Sequence, residues 1–126
     1  MGEASRNPRR KFRILVVDDN IDNARSMALL FGAMGHHVDY AINAIVGIDF
    51  AARFKPEVVI LDLLLPDSHG AQVCRQLRLN PELKQTRIYA ITGSKSGADR
   101  ERALAAGCDE VLLKPVSPDT FERLIG

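Results

Sequence analysis

Short apolar runs recur along the chain and alternate with longer segments in which apolar residues return every three or four positions. Each run is too short for an isolated helix and most are rich in Val and Ile, which indicates β-strands. Four runs are apolar on both faces, as in a parallel sheet covered by helices on both sides. The predicted strands span 14–17, 38–42, 58–61, 88–91 and 111–113, and the second, interrupted by Asp39, is expected at a sheet edge.

The segments between the runs have helical spacing and carry helix-ending signals. Gly107 is a favourable residue for the end of a helix, and Ser117 followed by Pro118 is typical of a helix start. Helices are predicted over 20–34, 43–54, 70–79 and 97–106, with a fifth from about 117. Five alternating strand–helix units predict a doubly wound α/β fold. The predicted core-facing residues are Ile21, Ala24, Ala28 and Phe31, then Ile45, Ile48, Ala52 and Phe54, then Val73, Leu77 and Leu79, and finally Phe121, Leu124 and Ile125.

Composition is consistent with one domain. The chain has 126 residues, of which 46% are hydrophobic and 26% are charged. No run approaches the roughly 20 apolar residues of a membrane span, and no signal-peptide core is present, so a cytoplasmic location without membrane contact is expected. Cys74 and Cys108 fit neither a metal spacing nor a disulfide framework, and we expect two small buried residues.

Charge is distributed unevenly. Residues 1–13 carry a net charge of +4 and the remainder carries −3, although the whole chain is near neutral at +1. A basic arm of this kind can contact an acidic partner, but it is more often a solvated tail, and residues 1–11 are predicted to be disordered. Trp is absent and aromatic residues make up 6% of the chain, which disfavours nucleic-acid binding by base stacking.

Polar side chains follow four of the five predicted strands. Asp18 and Asp19 follow the first, Asp62 the third, Thr92 the fourth and Lys114 the fifth. Because the carboxyl ends of parallel strands share one edge, these side chains are expected in one crevice. Individually, a carboxylate there often caps a helix, and Thr or Lys there is often structural. Together, three carboxylates repel one another unless a cation joins them, and a lysine and a hydroxyl beside them suit phosphoryl transfer.

At these residues the sequence resembles the receiver domain of two-component response regulators over about 12–126. The resemblance implies a flavodoxin-like five-stranded parallel sheet of order 2-1-3-4-5 with five helices. It rests on four motifs at matching intervals, namely Val17-Asp18-Asp19, the segment from Asp62 to Gly70 that includes Pro66 and Asp67, Ile91-Thr92-Gly93, and Leu113-Lys114-Pro115.

The resemblance implies a metal site and a phosphoacceptor. Asp62 matches the aspartate that takes a phosphoryl group from a histidine kinase or histidine phosphotransfer protein. Asp18 and Asp19 match the acidic pair that binds Mg²⁺ or Mn²⁺, together with Asp62 and the backbone carbonyl of Leu64. The downstream target is not identified by the sequence, and neither nucleic acid nor membrane is expected as a direct partner of this domain.

The resemblance also implies a switch. Thr92 matches the hydroxyl residue that turns toward the phosphoryl oxygen, Lys114 matches the lysine that pairs with the phosphoryl group, and the peptide bond before Pro115 matches one that is cis in the family. The family often has an aromatic residue three positions before the lysine, where this chain has Val111. The resemblance therefore does not imply an aromatic version of the switch.

Other polar residues near the motifs are interpreted as bystanders. Leu64 cannot orient a hydrolytic water, which predicts a persistent aspartyl phosphate. Asp67 is expected to be a solvent-facing loop carboxylate and His69 a solvated loop residue. His36 and His37 are expected to take no part in the chemistry.

Three alternatives to a phosphorylated signalling domain remain open. A phosphatase or phosphotransferase could use Asp62 as its nucleophile, but such enzymes usually need a second acid where Leu64 stands, and a cap over the substrate. A pseudo-receiver could dock partners without phosphorylation, although it would not need clustered like charges. A flavodoxin-type flavin binder would need a phosphate loop after the first strand, which this sequence lacks. We therefore expect a signalling domain that catalyses only its own phosphorylation and dephosphorylation.

Overall fold

The structure is a computed structural model that describes residues 10–125. The predicted disordered tail over 1–11 thus falls almost entirely outside the described residues. At the beginning of the described part, Arg10 forms an ion pair with Glu57, with 3.3 Å between Nη2 and Oε2. Among residues 10–125, none of the helices combines the length and the apolar character needed to cross a bilayer.

Within residues 10–125, five parallel strands form one sheet in the order β2-β1-β3-β4-β5, which confirms the predicted fold class and places the second strand at an edge. Five α-helices alternate with the strands, and a short 3₁₀ helix precedes β4. The elements are β1 (Arg13–Val17), α1 (Ile21–Ala33), β2 (His37–Ala41), α2 (Ala44–Phe54), β3 (Val58–Asp62), α3 (Gly70–Leu79), the 3₁₀ helix (Pro81–Leu83), β4 (Arg87–Thr92), α4 (Gly97–Ala105), β5 (Glu110–Leu113) and α5 (Pro118–Ile125).

The sheet separates two apolar layers because successive side chains of a strand point to opposite faces. In β1, Leu15 and Val17 join a cluster with residues of α2, α3 and α4. Ile14 and Val16 point the other way and pack with residues of α1 and α5. The central strands are buried on both faces, which explains why they read as continuous apolar runs.

The predicted apolar stripe of α2 is wrong at Ile45 and Ala52, which are exposed. The reason is a close approach of the helix to β1. A Cβ added to Gly47 would lie 3.1 Å from both methyl groups of Val17, so only small residues fit at the centre of the contact. The helix therefore buries its small residues, which are Ala44, Gly47 and Ala51.

Two further stripe residues are exposed because they lie at helix ends. Ile21 is the first residue of α1 and is 47% exposed, and Leu79 is the last residue of α3 and is 71% exposed. The predicted helix end at Gly107 is confirmed, since α4 ends at Ala105 and Gly107 has a φ of 111°, a left-handed conformation that favours glycine. Cys74 and Cys108 are buried and unbridged, as expected.

Arg78 fastens α3 to the parts of the chain that lead into β4 and β5. Its guanidinium donates to the carbonyl of Thr86 at 2.7 Å, to the carbonyl of Gly107 at 3.0 Å and to the Asp109 carboxylate at 3.0 Å. The same Asp109 oxygen accepts the N–H of Ile88 at 2.8 Å. One planar side chain thus satisfies acceptors on three residues in two separate segments.

We expect Arg78→Met to lower the free energy of unfolding by about 2–4 kcal/mol, because bonds from a charged donor contribute roughly 1.5–3 kcal/mol each and are not additive. Arg75→Met is the matched control. Arg75 lies on the exposed face of α3, and its guanidinium donates to Gln72 one turn away. We expect a change within about 0.5 kcal/mol there. Urea unfolding measures both, and equal effects would contradict the role of Arg78.

Candidate functional site

The polar residues that follow the strands meet at one edge of the sheet, as their positions at strand ends predicted. The parallel register aligns Val17 of β1 with Leu61 of β3, and Asp62 with Ile91 of β4. The residues that end these strands or directly follow them therefore lie at the same edge. They are Asp18, Asp19, Asp62, Thr92 and Lys114.

Three carboxylates form the centre of this site. Asp18, Asp19 and Asp62 each offer an oxygen, and these oxygens all lie within 4.8 Å of one another. Asp18 and Asp62 are buried, at 2% and 6% exposed, whereas Asp19 is open to solvent. A group of negative charges this tight, largely withheld from water, favours a bound cation.

Asp62 is held at both of its oxygens. The N–H of Leu64 donates to Oδ1 at 3.0 Å, and the ammonium of Lys114 donates to Oδ2 at 3.2 Å. The side chain of Lys114 is 34% exposed, so its charge can also face a group that arrives from solvent. The carboxylate is therefore oriented and has a cation beside it, without being sealed from the surface.

Burial raises the pKa of Asp18 above its ordinary value, and the neighbouring charges of Asp62 and Asp19 add to the effect. The Asn20 N–H and the Lys114 charge act in the opposite direction. A carboxylate whose charged form is disfavoured in the folded chain is stabilised by a divalent cation placed among the three. Hard oxygen donors of this kind fit Mg²⁺ or Mn²⁺.

We expect Asp18→Asn to be more stable than the wild type at pH 7 without divalent metal, by about 0.5–2 kcal/mol, the range of single stabilising substitutions. The raised pKa of Asp18 means that the folded state holds this proton more tightly than the unfolded chain does. The stability penalty is therefore present at neutral pH, fades as the pH falls through the raised folded pKa, and is gone below the unfolded value.

Urea unfolding with EDTA at pH 7 and at pH 4 measures the difference between the two proteins. The advantage of Asp18→Asn should shrink at pH 4, and it should reverse in excess Mg²⁺, because the variant lacks one of the three carboxylates that could hold the cation. A variant that is less stable than the wild type at pH 7 in EDTA would contradict the prediction.

Thr92 is the last residue of β4 and is 3% exposed. Its hydroxyl oxygen accepts the N–H of Ser94 at 3.0 Å, so the side chain is bonded to the loop that leads to α4.

Val111 occupies the position where the resembled family often has an aromatic residue. It is buried in β5, at 9% exposed. Its carbonyl accepts a bond from Arg100 of α4 at 3.2 Å. The peptide bond between Lys114 and Pro115 is cis.

His69 is not the solvated loop residue that the sequence suggested. Its Nδ1 accepts the N–H of Ala71 and caps the start of α3, and its Nε2 lies 3.2 Å from Asp99 Oδ1. The histidine side chain is 15% exposed. Its position directly before a predicted helix was the one available signal, but His is not among the usual capping residues.

Asp67 lies outside the carboxylate cluster and is exposed, as expected, but it has a structural contact that the sequence did not predict. Its carboxylate accepts the N–H groups of Ala44 and Ile45 at the start of α2, at 2.9 and 3.1 Å. The bond from Ala44 lowers the pKa of Asp67, and the bond from Ile45 lowers it further.

His36, also outside the site, is buried and accepts the N–H of Phe12 through Nδ1.

Comparison with known protein families assigns most of the chain to one family. The family described as response regulator receiver domain matches residues 14–125, which include every strand end of the site. The match covers all five strand–helix units apart from the first residue of β1.

Individual relatives agree with this match. The chain is 28% identical to the polar-differentiation response regulator DivK of Brucella anthropi over 112 residues, covering 89% of this chain and 91% of DivK. It is 33% identical to the response regulator PleD of Caulobacter vibrioides over 104 residues, covering 82% of this chain but 23% of PleD. The crystal structure of the receiver domain of the sensor histidine kinase PA1611 from Pseudomonas aeruginosa, which has magnesium coordinated in its active-site cleft, superposes with a TM-score of 0.83 at 26% identity. That match covers 92% of this chain and 95% of the PA1611 domain.

Proposed function

The chain belongs to the response regulator receiver domain family of two-component signalling, and from this premise we propose that Asp62 is its phosphoacceptor. The observation that carries the proposal is the placement of Asp62, oriented by the Leu64 N–H, paired with Lys114 and within 4.8 Å of two further carboxylates. Receiver domains interact with histidine kinases and phosphotransfer proteins, and we propose such a protein as the donor. The downstream target is a partner of unidentified chemistry.

The transfer step uses Asp62 as a nucleophile. A carboxylate oxygen forms a bond to phosphorus while the bond from phosphorus to the donor nitrogen breaks, and the donor imidazole keeps that electron pair. The product is an aspartyl phosphate. The Lys114 ammonium, at 3.2 Å from the carboxylate before transfer, is placed to stabilise the charge on the transferred oxygens.

Asp18, Asp19, Asp62 and the backbone carbonyl of Leu64 are the proposed ligands of Mg²⁺ or Mn²⁺. When bound, such an ion neutralises charge on the phosphoryl oxygens. The cluster of three carboxylates and the raised pKa of Asp18 support this assignment. The magnesium in the related PA1611 domain supports it as well.

Thr92 is the proposed switch residue. Phosphorylation adds roughly two negative charges beside its hydroxyl, which then has an acceptor in the phosphoryl group. The loop from Thr92 to α4 then moves with the Thr92 side chain. The population of conformations shifts on the face formed by α4, β5 and α5, where a downstream protein would bind.

The activity proposed is self-phosphorylation and self-dephosphorylation, with no external substrate. The cytoplasmic location expected from the sequence stays a prediction.

The test is incubation with acetyl phosphate and Mg²⁺, followed by intact mass spectrometry. A gain of one phosphoryl group that requires Mg²⁺ and is removed by hydroxylamine supports the proposal, since an acyl phosphate reacts with that nucleophile. Steady turnover of an external phosphoester such as p-nitrophenyl phosphate would favour an Asp-nucleophile phosphatase. No adduct from acetyl phosphate or from a histidine phosphotransfer protein would favour a docking module.

We expect Leu64→Asn to shorten the lifetime of the aspartyl phosphate about three- to tenfold. The Leu64 side chain is 56% exposed next to Asp62 and offers no polar group to a hydrolytic water, whereas an Asn amide can orient one. Leu64→Met conserves the apolar character and volume and should leave the lifetime unchanged. Loss of the phosphoryl mass over time measures all three proteins, and equal lifetimes for wild type and Leu64→Asn would contradict the prediction.

A further inference from the structure

The first turn of α4 is joined to the proposed phosphoryl site by a continuous series of hydrogen bonds. The N–H of Ser94 donates to the Thr92 hydroxyl and the N–H of Ser96 donates to the Ser94 hydroxyl, each at 3.0 Å. The Ser96 hydroxyl in turn accepts the N–H groups of Ala98 and Asp99 at 3.2 and 3.4 Å. Thr92 is therefore connected to α4 through hydrogen bonds between residues two or three positions apart.

The same turn of α4 is also bonded to His69, which lies between β3 and α3. Because Nδ1 accepts the N–H of Ala71, the ring proton lies on Nε2, which faces Asp99 Oδ1 at 3.2 Å. The two side chains are 15% and 27% exposed. His69 also pairs with Leu64 in a β-bridge that closes the loop after Asp62. The bond between His69 and Asp99 thus connects the loop of the phosphoacceptor to α4.

We propose that the His69–Asp99 hydrogen bond holds α4 in its unphosphorylated position and so sets how readily the site reaches its phosphorylated arrangement. His69 is then a positioning residue. The inference rests on the proposed function, because it requires a phosphoryl group on Asp62. When the Thr92 hydroxyl turns toward that group, Ser94 loses its acceptor and the first turn of α4 moves with the loop. The His69–Asp99 bond opposes the movement, and its removal shifts the population toward the phosphorylated arrangement.

A second contact keeps α4 attached when this bond is removed. Arg100 follows Asp99 directly, points about 100° away around the helix, and donates to the Val111 carbonyl of β5 at 3.2 Å. The burial of Ala103 on the same helix is also unaffected by a change at His69. The bond therefore controls the position of the first turn rather than the formation of the helix.

Binding of beryllofluoride with Mg²⁺, measured by calorimetry, tests the proposal. His69→Asn keeps an oxygen that can cap α3 but is too short to reach Asp99, and Asp99→Ala removes the acceptor. Each should tighten binding about three- to tenfold, and the double variant should match the single ones because one bond is lost in all three. Asp99→Asn retains an acceptor oxygen and should stay within about twofold of wild type, as should Glu101→Ala, which removes an exposed carboxylate of the same helix.

Unchanged or weaker binding in His69→Asn and Asp99→Ala, or effects that add in the double variant, would overturn the proposal. Amide hydrogen exchange of α4 in the ligand-free protein provides a second readout that needs no phosphorylation. Exchange should be about three- to tenfold faster in both single variants and unchanged in Asp99→Asn. If wild type binds no beryllofluoride, the proposed function fails, and the exchange rates still decide whether this bond restrains α4.

Discussion

In the Asp62→Asn variant we expect no phosphoryl adduct, whereas the wild-type chain gains one group from acetyl phosphate and Mg²⁺. An amide oxygen is a poor nucleophile and cannot form the acyl phosphate. The substitution keeps the local shape, because the Asn oxygen can still accept the Leu64 N–H that reaches Asp62 at 3.0 Å. Lys114 loses its charged partner, but its side chain is 34% exposed and is solvated in part. Loss of the adduct therefore reports chemistry rather than unfolding.

Asp67→Asn is the matched control for this experiment. Asp67 lies five residues further along the same loop, but its carboxylate accepts the N–H groups that begin α2 and is outside the cluster of three. The Asn variant keeps an acceptor there and should be phosphorylated like the wild type. Urea unfolding of both variants verifies that they fold. An adduct that persists in Asp62→Asn, or disappears in Asp67→Asn, would show that the nucleophile is assigned wrongly.

The carboxylate cluster was accessible from the sequence because it depends on where strands end. Four strands were recognisable as apolar runs, and parallel strands bring their carboxyl ends to one edge regardless of the details of the helices. Asp18, Asp19 and Asp62 therefore could be placed together without a structure. The same reasoning identified Thr92 and Lys114, since each directly follows a strand predicted from the sequence.

Contacts between distant loops were not accessible, because no periodic pattern encodes them. The partner of His69 is Asp99, 30 residues away on another helix. The carboxylate of Asp67 caps a helix that begins 23 residues earlier in the chain. Each of these residues lies in or beside an irregular segment, where the backbone path decides what a side chain meets. A sequence pattern indicates that such a segment is a loop but not which neighbour it faces.

Packing distances could not be predicted from the sequence either. Helical spacing identified α2, but the choice between its two adjacent apolar faces depended on how closely the helix approaches β1. The approach leaves room for Gly47 and excludes larger residues, since an added Cβ would lie 3.1 Å from the Val17 methyl groups. The bulky Ile45 is consequently exposed at 72%. Hydrophobicity alone predicts that the face with Ile45 packs against the sheet and that the face with Gly47 is exposed.

Gly70→Ala should be the most damaging single-methyl change near the site, with an unfolding free energy lowered by about 2–3 kcal/mol, toward the upper end of the range for overpacking. Gly70 is the first residue of α3, and its N–H donates to the Leu63 carbonyl at 2.7 Å. A Cβ there would lie 2.7 Å from both the Asp62 carbonyl oxygen and the Leu63 Cα. These are backbone atoms that cannot rotate away, so the end of β3 must shift. The shift displaces Asp62, and we expect phosphorylation by acetyl phosphate to slow at least about tenfold.

Gly97→Ala separates this steric effect from the general cost of changing a glycine at a helix start. Gly97 is the first residue of α4, and an added Cβ would meet nothing within 4 Å. The substitution should be neutral or stabilising by up to about 1 kcal/mol, because Ala favours the helix over Gly. Urea unfolding compares the two variants, and acetyl phosphate labelling shows whether Asp62 has moved. Wild-type stability and labelling in Gly70→Ala would mean that β3 and α3 are not packed as closely as the structure has them, whereas damage in both variants would trace the effect to glycine itself.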